Sequence, residues 1–109
     1  MNYTITYYSQ EVELNILELP ETLLARYFSL TDRMETYGSN LGEPHIKAFG
    51  DGLFELRLKG AEGIARVFYC TVIGREIVML HSFVKKTQKT PLKEKRIAEN
   101  RMKEFKNGI

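Results

Sequence analysis

Three short segments bring phosphate-binding side chains together. "LFELRLK" carries Arg57 and Lys59, "IARVFYC" carries Arg66, and "HSFVKKTQKTP", from His81 to Pro91, carries His81, Lys85, Lys86 and Lys89. Arginine presents a planar fork that matches phosphate oxygens, and lysine supplies a point charge. Crowded cations also lower a lysine pKa, which lets one lysine act as a base nearer neutrality. Other catalytic signatures are missing: there is no paired-carboxylate motif, no HExxH or similar metal spacing and no GxxxxGK[ST] loop, and the scattered glycines match turns. The chemistry these residues suit is metal-free, cofactor-free work on a phosphodiester. On RNA a 2′-OH attacks the adjacent phosphate, and the protein moves protons and stabilises the added negative charge.

Each residue also has a plainer role open to it. Arg57 can pair with Glu55 or Glu62 on a solvated face. Arg66 inside an apolar strand is harder to explain away, because a buried charge needs a partner. A lone histidine such as His81 is more often a satisfied structural group than a catalyst. Lys85 and Lys86 alternate sides of an extended chain, so one of them faces any groove. The charge distribution favours a polyanion partner. Residues 1–54 hold 3 Lys/Arg against 8 Asp/Glu, a balance of −5, and residues 55–109 hold 13 against 6, a balance of +7. The plainer account is that the two halves neutralise each other in the fold.

The elements that must position these groups read as follows. "NYTITYY" is a first strand, rich in Tyr, Thr and Ile. Ser9 caps a short helix that stops by Leu19, because Pro20 disfavours a helical residue before it. Pro20 opens a second helix, in which Leu23, Tyr27, Thr31 and Met34 keep helical spacing up to a stop at Gly38. "HIKAF" is a candidate short strand. "LFELRLK" alternates, with Phe54, Leu56 and Leu58 on one side and Glu55, Arg57 and Lys59 on the other. Gly74-Arg75 turns "IARVFYCTVI" back into "EIVMLHSFV", where alternation groups His81 with Met79 and Phe83. Thr90-Pro91 is a cap and first turn for a last helix to about Phe105. The expectation is one domain over residues 1–109, α+β, with order β-α-α-β-β-β-α: an antiparallel sheet carrying two N-terminal helices and a C-terminal helix. In that meander Arg57, Lys59, Arg66, His81 and Lys85/Lys86 gather at one end of the sheet. The reading requires Arg66 to lie near Arg57 or Lys86 and not to be sealed against a carboxylate.

Cys70 has no partner in this chain and reads as a small buried side chain, which fits a reducing cytoplasm. No apolar run approaches a membrane span, and the N-terminal residues do not read as a signal peptide.

The segments "LFELRLKGAEGIARVFYC" and "IVMLHSFVKKTQKTPLKEKRIAENRMKEF" resemble phage-derived, HigB-like toxins of the RelE/ParE superfamily. The resemblance implies the toxin of a type II toxin–antitoxin system, neutralised by a cognate helix-turn-helix antitoxin. It implies an mRNA interferase, an endoribonuclease that cleaves mRNA in the ribosome A site and so inhibits translation. Arg66 matches the family arginine that opens its strand, and Lys86 matches the basic position after the last strand. Arg57 and Lys59 lie near the basic positions of the preceding strand. With His81 these give catalytic candidates Arg57, Arg66, His81 and Lys86, and RNA-binding candidates Lys59, Lys85 and Lys89. The chain departs from the family in having no tyrosine after Tyr69, and His81 is the candidate substitute. Two other functions stay open: a ParE-like toxin that inhibits DNA gyrase, and a regulator that grips RNA without cutting it.

Overall fold

The computed structural model describes residues 2–72, 74–85 and 89–108. The chain runs β1 (Thr4–Tyr7), α1 (Gln10–Leu17), α2 (Glu21–Tyr37), β2 (Ile46–Gly50), β3 (Leu53–Gly60), β4 (Gly63–Val72), β5 (Glu76–Val84) and α3 (Leu92–Asn107). The strands form one sheet in the order β1-β5-β4-β3-β2. β2 to β5 are antiparallel neighbours, as the short connections dictate. β1 pairs parallel with β5, so the sheet is mixed and not purely antiparallel as the sequence suggested. The parallel pairing is possible because α1 and α2 intervene in the chain, which gives the long crossover a parallel pair needs. "HIKAF" does form the extra edge strand, β2.

Local chemistry sets the helix ends. The Ser9 hydroxyl accepts a hydrogen bond from the Val12 amide at 3.2 Å. Pro20, expected to open α2, is instead its cap, so the helix starts one place later, at Glu21, and Gly38 ends it with φ of 99°. Pro91 precedes α3 without any side-chain cap. Thr90, expected to cap it, instead donates its hydroxyl to Glu55.

Two apolar layers flank the sheet. On one face Val12, Ile16, Leu23, Tyr27, Leu30 and Met34 from α1 and α2 meet Leu56, Leu58, Val67, Tyr69, Ile77 and Met79. Removing such a side chain from water contributes roughly 1.5–3 kcal/mol each. On the other face Leu53, Phe68, Cys70, Val78 and Leu80 are covered by Ala98, Met102 and Phe105 of α3. Cys70 is buried there, and desolvation pushes its thiol up to about 11, which keeps it protonated and unreactive near neutrality.

A bulge in β5 corrects one reading of the sequence. Phe68 opposes His81 while Tyr69 opposes Met79, so Leu80 is an extra residue. Met79 packs with the α1/α2 layer, whereas His81 turns to the α3 side and meets Glu94. Simple alternation would have put His81 and Met79 on one face. The Leu80 carbonyl at the bulge accepts a hydrogen bond from Arg101 Nη1 at 2.8 Å, which ties α3 to the irregular strand.

Gly38 combines a left-handed backbone with a close neighbour. Its φ of 99° and ψ of −179° suit glycine almost alone, and a Cβ there would stand 3.1 Å from a ring carbon of Tyr3. Gly38→Ala is expected to lower the unfolding free energy by about 1–3 kcal/mol, read as a lower urea midpoint at unchanged slope.

Candidate functional site

Glu55 lies at the centre of the basic end of the sheet. Its strand places it with Arg57 and Lys59 on the α3 side, opposite Leu56 and Leu58, which enter the α1/α2 core. Arg57 and Arg66 are direct register partners on β3 and β4, so both guanidinium groups rise from the same face. Glu55 Oε1 stands 3.7 Å from Arg57 Nε and 3.6 Å from Arg66 Nε. Those distances give charge attraction without a hydrogen bond, and both Nε atoms are buried with no hydrogen-bond partner. The second oxygen of Glu55 accepts from Thr90 Oγ1 at 2.7 Å. Glu55 itself is 1% exposed.

The two arginines are held differently. Arg57 also reaches Glu43 Oε2 through Nη1 at 3.2 Å, and its side chain is 32% exposed. Arg66 donates from Nη1 to the Ala65 carbonyl, and its side chain is only 11% exposed. Burial lowers the Arg66 pKa, Glu55 opposes that shift, and Arg57 adds to it. Arg66 therefore meets one requirement of the sequence reading, closeness to Arg57, but is largely covered and lies beside a carboxylate. It is not sealed off, because it lines an open cleft.

Arg57 separates two clefts. One, of about 400 Å³, is lined by Arg26, Pro44, His45, Arg57, Lys59, Ile64 and Arg66. The other, of about 370 Å³, is lined by Lys47, Phe49, Glu55, Arg57, Lys85, Lys89, Thr90 and Lys95. Together they form a cationic groove across the exposed part of the α3-side face. Lys85 sits at the end of this row, its amide bonded to the Ile64 carbonyl at 2.8 Å. Its pKa is lowered, first by desolvation and then by Arg66, Arg57 and Lys47, with Glu55 opposing. That direction makes Lys85 an easier proton donor than an isolated lysine and more often neutral, though the neutral amine is a weaker base.

The candidates named from the sequence divide accordingly. Arg57, Arg66, Lys59, Lys85 and Lys89 line the groove. His81 lines neither cleft. Its Nε2 lies 2.7 Å from Glu94 Oε1 in the first turn of α3, and its ring stacks near Phe83. Lys86 lies outside the described residues. Sequence reasoning missed Lys47 and Phe49 on β2, Lys95 on α3, Arg26 on α2 and His45. It saw Glu55 only as one partner open to Arg57. The i, i+2 spacing of Glu55 and Arg57 was the available signal for a shared face, and the same spacing links Lys47 with Phe49. Among the described residues no three His, Cys, Asp or Glu side chains gather so as to hold a metal ion.

If Glu55 fixes the two arginines, loss of its charge must be felt. Glu55→Gln keeps an acceptor for Thr90 but leaves buried guanidinium nitrogen beside a neutral amide. It is expected to lower stability by roughly 1–3 kcal/mol, and an unchanged urea midpoint would show that Arg57 and Arg66 do not depend on the carboxylate.

Comparison with known proteins agrees with this architecture. By sequence, no curated protein matches the chain. Among solved structures it is similar to a chain described as "Crystal structure of archaeal RelE-RelB complex from Pyrococcus horikoshii OT3". The match has a TM-score of 0.50 at 19% identity, and covers 77% of this chain and 96% of that one. At that identity the likeness concerns the fold. No helix among the described residues is long and apolar enough to cross a membrane. The family profile described as "Phage derived protein Gp49-like" matches residues 15–103, which include every element from the end of α1 through most of α3, and the chain belongs to that family.

Proposed function

We propose that this chain is the toxin of a type II toxin–antitoxin pair, a HigB-like mRNA interferase that cuts translated message in the ribosome A site. Its partner is a cognate antitoxin. The reading draws on the phage-derived family and on the fold shared with a RelE-RelB complex. The observation that carries it is the register pairing of Arg57 with Arg66 between two cation-lined clefts.

The roles follow from position. A scissile phosphate at the mouth between the clefts meets Arg57 directly. As the phosphate gains charge in the transition state, it competes with Glu55 for the arginines and draws Arg66 toward it. The 2′-OH of the preceding ribose is the nucleophile, so the bond broken is phosphorus to the 5′-oxygen of the next nucleotide, and a 2′,3′-cyclic phosphate is left. The proton lost by the 2′-OH and the one gained by the 5′-oxygen pass through Lys85 at the groove end, with Lys86 kept as the second candidate on its sequence position alone. Lys59 and Lys89 hold flanking phosphates. His81 enters as a positioning group that fixes the start of α3 through Glu94, and not as a proton donor.

A second reading is a regulator that grips RNA without cutting it. The 11% exposure of Arg66 beside Glu55 favours it, because an arginine held by a carboxylate is less available to a transition state.

Expression in bacteria, with 5′ ends mapped on a translated message, separates the two. The nuclease predicts new 5′ ends within coding sequence, reduced about 10²-fold or more by Arg66→Ala and by Arg57→Ala in folded protein. A parent that binds RNA but yields no new ends supports the regulator. Variants as active as the parent would show that the site lies elsewhere.

A further inference from the structure

The cleft on the β2 side of Arg57 contains an aromatic ring that a purely phosphate-binding groove does not need. Phe49 lies on edge strand β2 and is partly exposed. Behind it stands Phe68, with ring centroids 5.8 Å apart. Two ammonium groups gather at the same ring: Lys95 Nζ at 4.6 Å and Lys47 Nζ at 5.1 Å from its centroid. One comes from the sheet edge and the other from the second turn of α3, so two separate elements direct cations at one aromatic surface. Cation–π attraction holds each of them there. Two like charges around one ring also repel, and an anionic group between them relieves that repulsion.

The surroundings define the ligand. The cleft of about 370 Å³ lies within the range of small-ligand sites. It offers one flat apolar surface, Phe49, and a cationic rim from Lys47, Lys95, Lys85 and Arg57. A flat ring next to a negative charge is the chemistry of one unpaired nucleotide. A base stacks on an aromatic side chain while its phosphate meets the cations. Glu55 lines the inner wall but is engaged with Thr90 and the two arginines, so it leaves the rim cationic.

We propose that this cleft is a nucleobase subsite, in which one unpaired base flanking the scissile phosphate stacks on Phe49 while Lys47 and Lys95 move to its phosphate. The subsite rests on the RNA reading above. It gives the groove a fixed direction, because Phe49 lines only one of the two clefts.

The test uses the full chain and a short single-stranded RNA, 2′-O-methylated throughout to block attack, with binding read by fluorescence anisotropy at low salt. A second set of oligonucleotides carries one abasic site at successive positions. The parent is expected to lose about 5- to 100-fold in affinity at one abasic position, the worth of one stacked base. Phe49→Leu keeps apolar contact with Phe68 but has no π face. It is expected to bind intact RNA as weakly as the parent binds that abasic strand, and to lose nothing further on it. Phe49→Tyr is expected to bind as the parent does. Should the leucine variant fold poorly, Phe49→Met and the abasic scan of the parent give the same comparison. Parent-like affinity in folded Phe49→Leu, or an abasic penalty that persists in it, overturns the subsite alone. A parent that does not bind the oligonucleotide at all overturns the subsite together with the reading beneath it.

Discussion

A buried carboxylate between two guanidinium groups governs the basic end of this sheet. Glu55 is almost wholly covered, and a charge so placed persists only with partners. Arg57 and Arg66 supply opposite charge at 3.7 and 3.6 Å, and Thr90 supplies a hydrogen bond at 2.7 Å. Removing Glu55 takes a shared carboxylate from both arginines and an acceptor from Thr90, so the four residues form a unit. That unit also joins distant parts of the chain. It spans β3, β4 and the residue before the turn into α3, and so fixes where the last helix begins.

The same sheet face then does two jobs. At one end Leu53, Phe68, Cys70, Val78 and Leu80 are apolar and α3 covers them. At the other end Arg57, Lys59, Arg66 and Lys85 are cationic and face a groove. The switch occurs within single strands: β3 passes from Leu53 through Glu55 to Arg57, and β4 from Cys70 through Phe68 to Arg66. Glu55 stands at the boundary. There it offsets one of the positive charges that the helix-covered interior could not otherwise accept. The opposite sheet face stays apolar along its length under α1 and α2, which makes the sheet a firm base for the arginines.

Much of this was legible from local pattern. Alternation in "LFELRLK" separates Leu56 and Leu58 from Arg57 and Lys59, and short turns oblige β3, β4 and β5 to be neighbours. Those two facts bring Arg57, Arg66 and Lys85 together. Three features were hidden. The parallel pairing of β1 with β5 is a long-range choice with no local signature. The bulge at Leu80 inverts the side on which His81 emerges, and alternation assumes that no residue is extra. Thr90 reads as a helix cap because threonine before proline usually is one, yet a buried carboxylate 35 residues earlier takes its hydroxyl. Phe49, Lys47 and Lys95 were overlooked for a related reason: they meet only when an edge strand and a terminal helix fold over the same face.

The central claim is that Arg57 and Arg66 act on one phosphate and exchange Glu55 for it. Nitrogen-15 NMR of the arginine Nε–H groups reads this directly during titration with a non-cleavable single-stranded RNA. The account predicts that the Arg57 and Arg66 signals move together and saturate at one RNA per protein, with the Glu55 carboxylate carbon shifting in step. Signals from both arginines that stay fixed at saturating RNA, while those of surface lysines move, would contradict it.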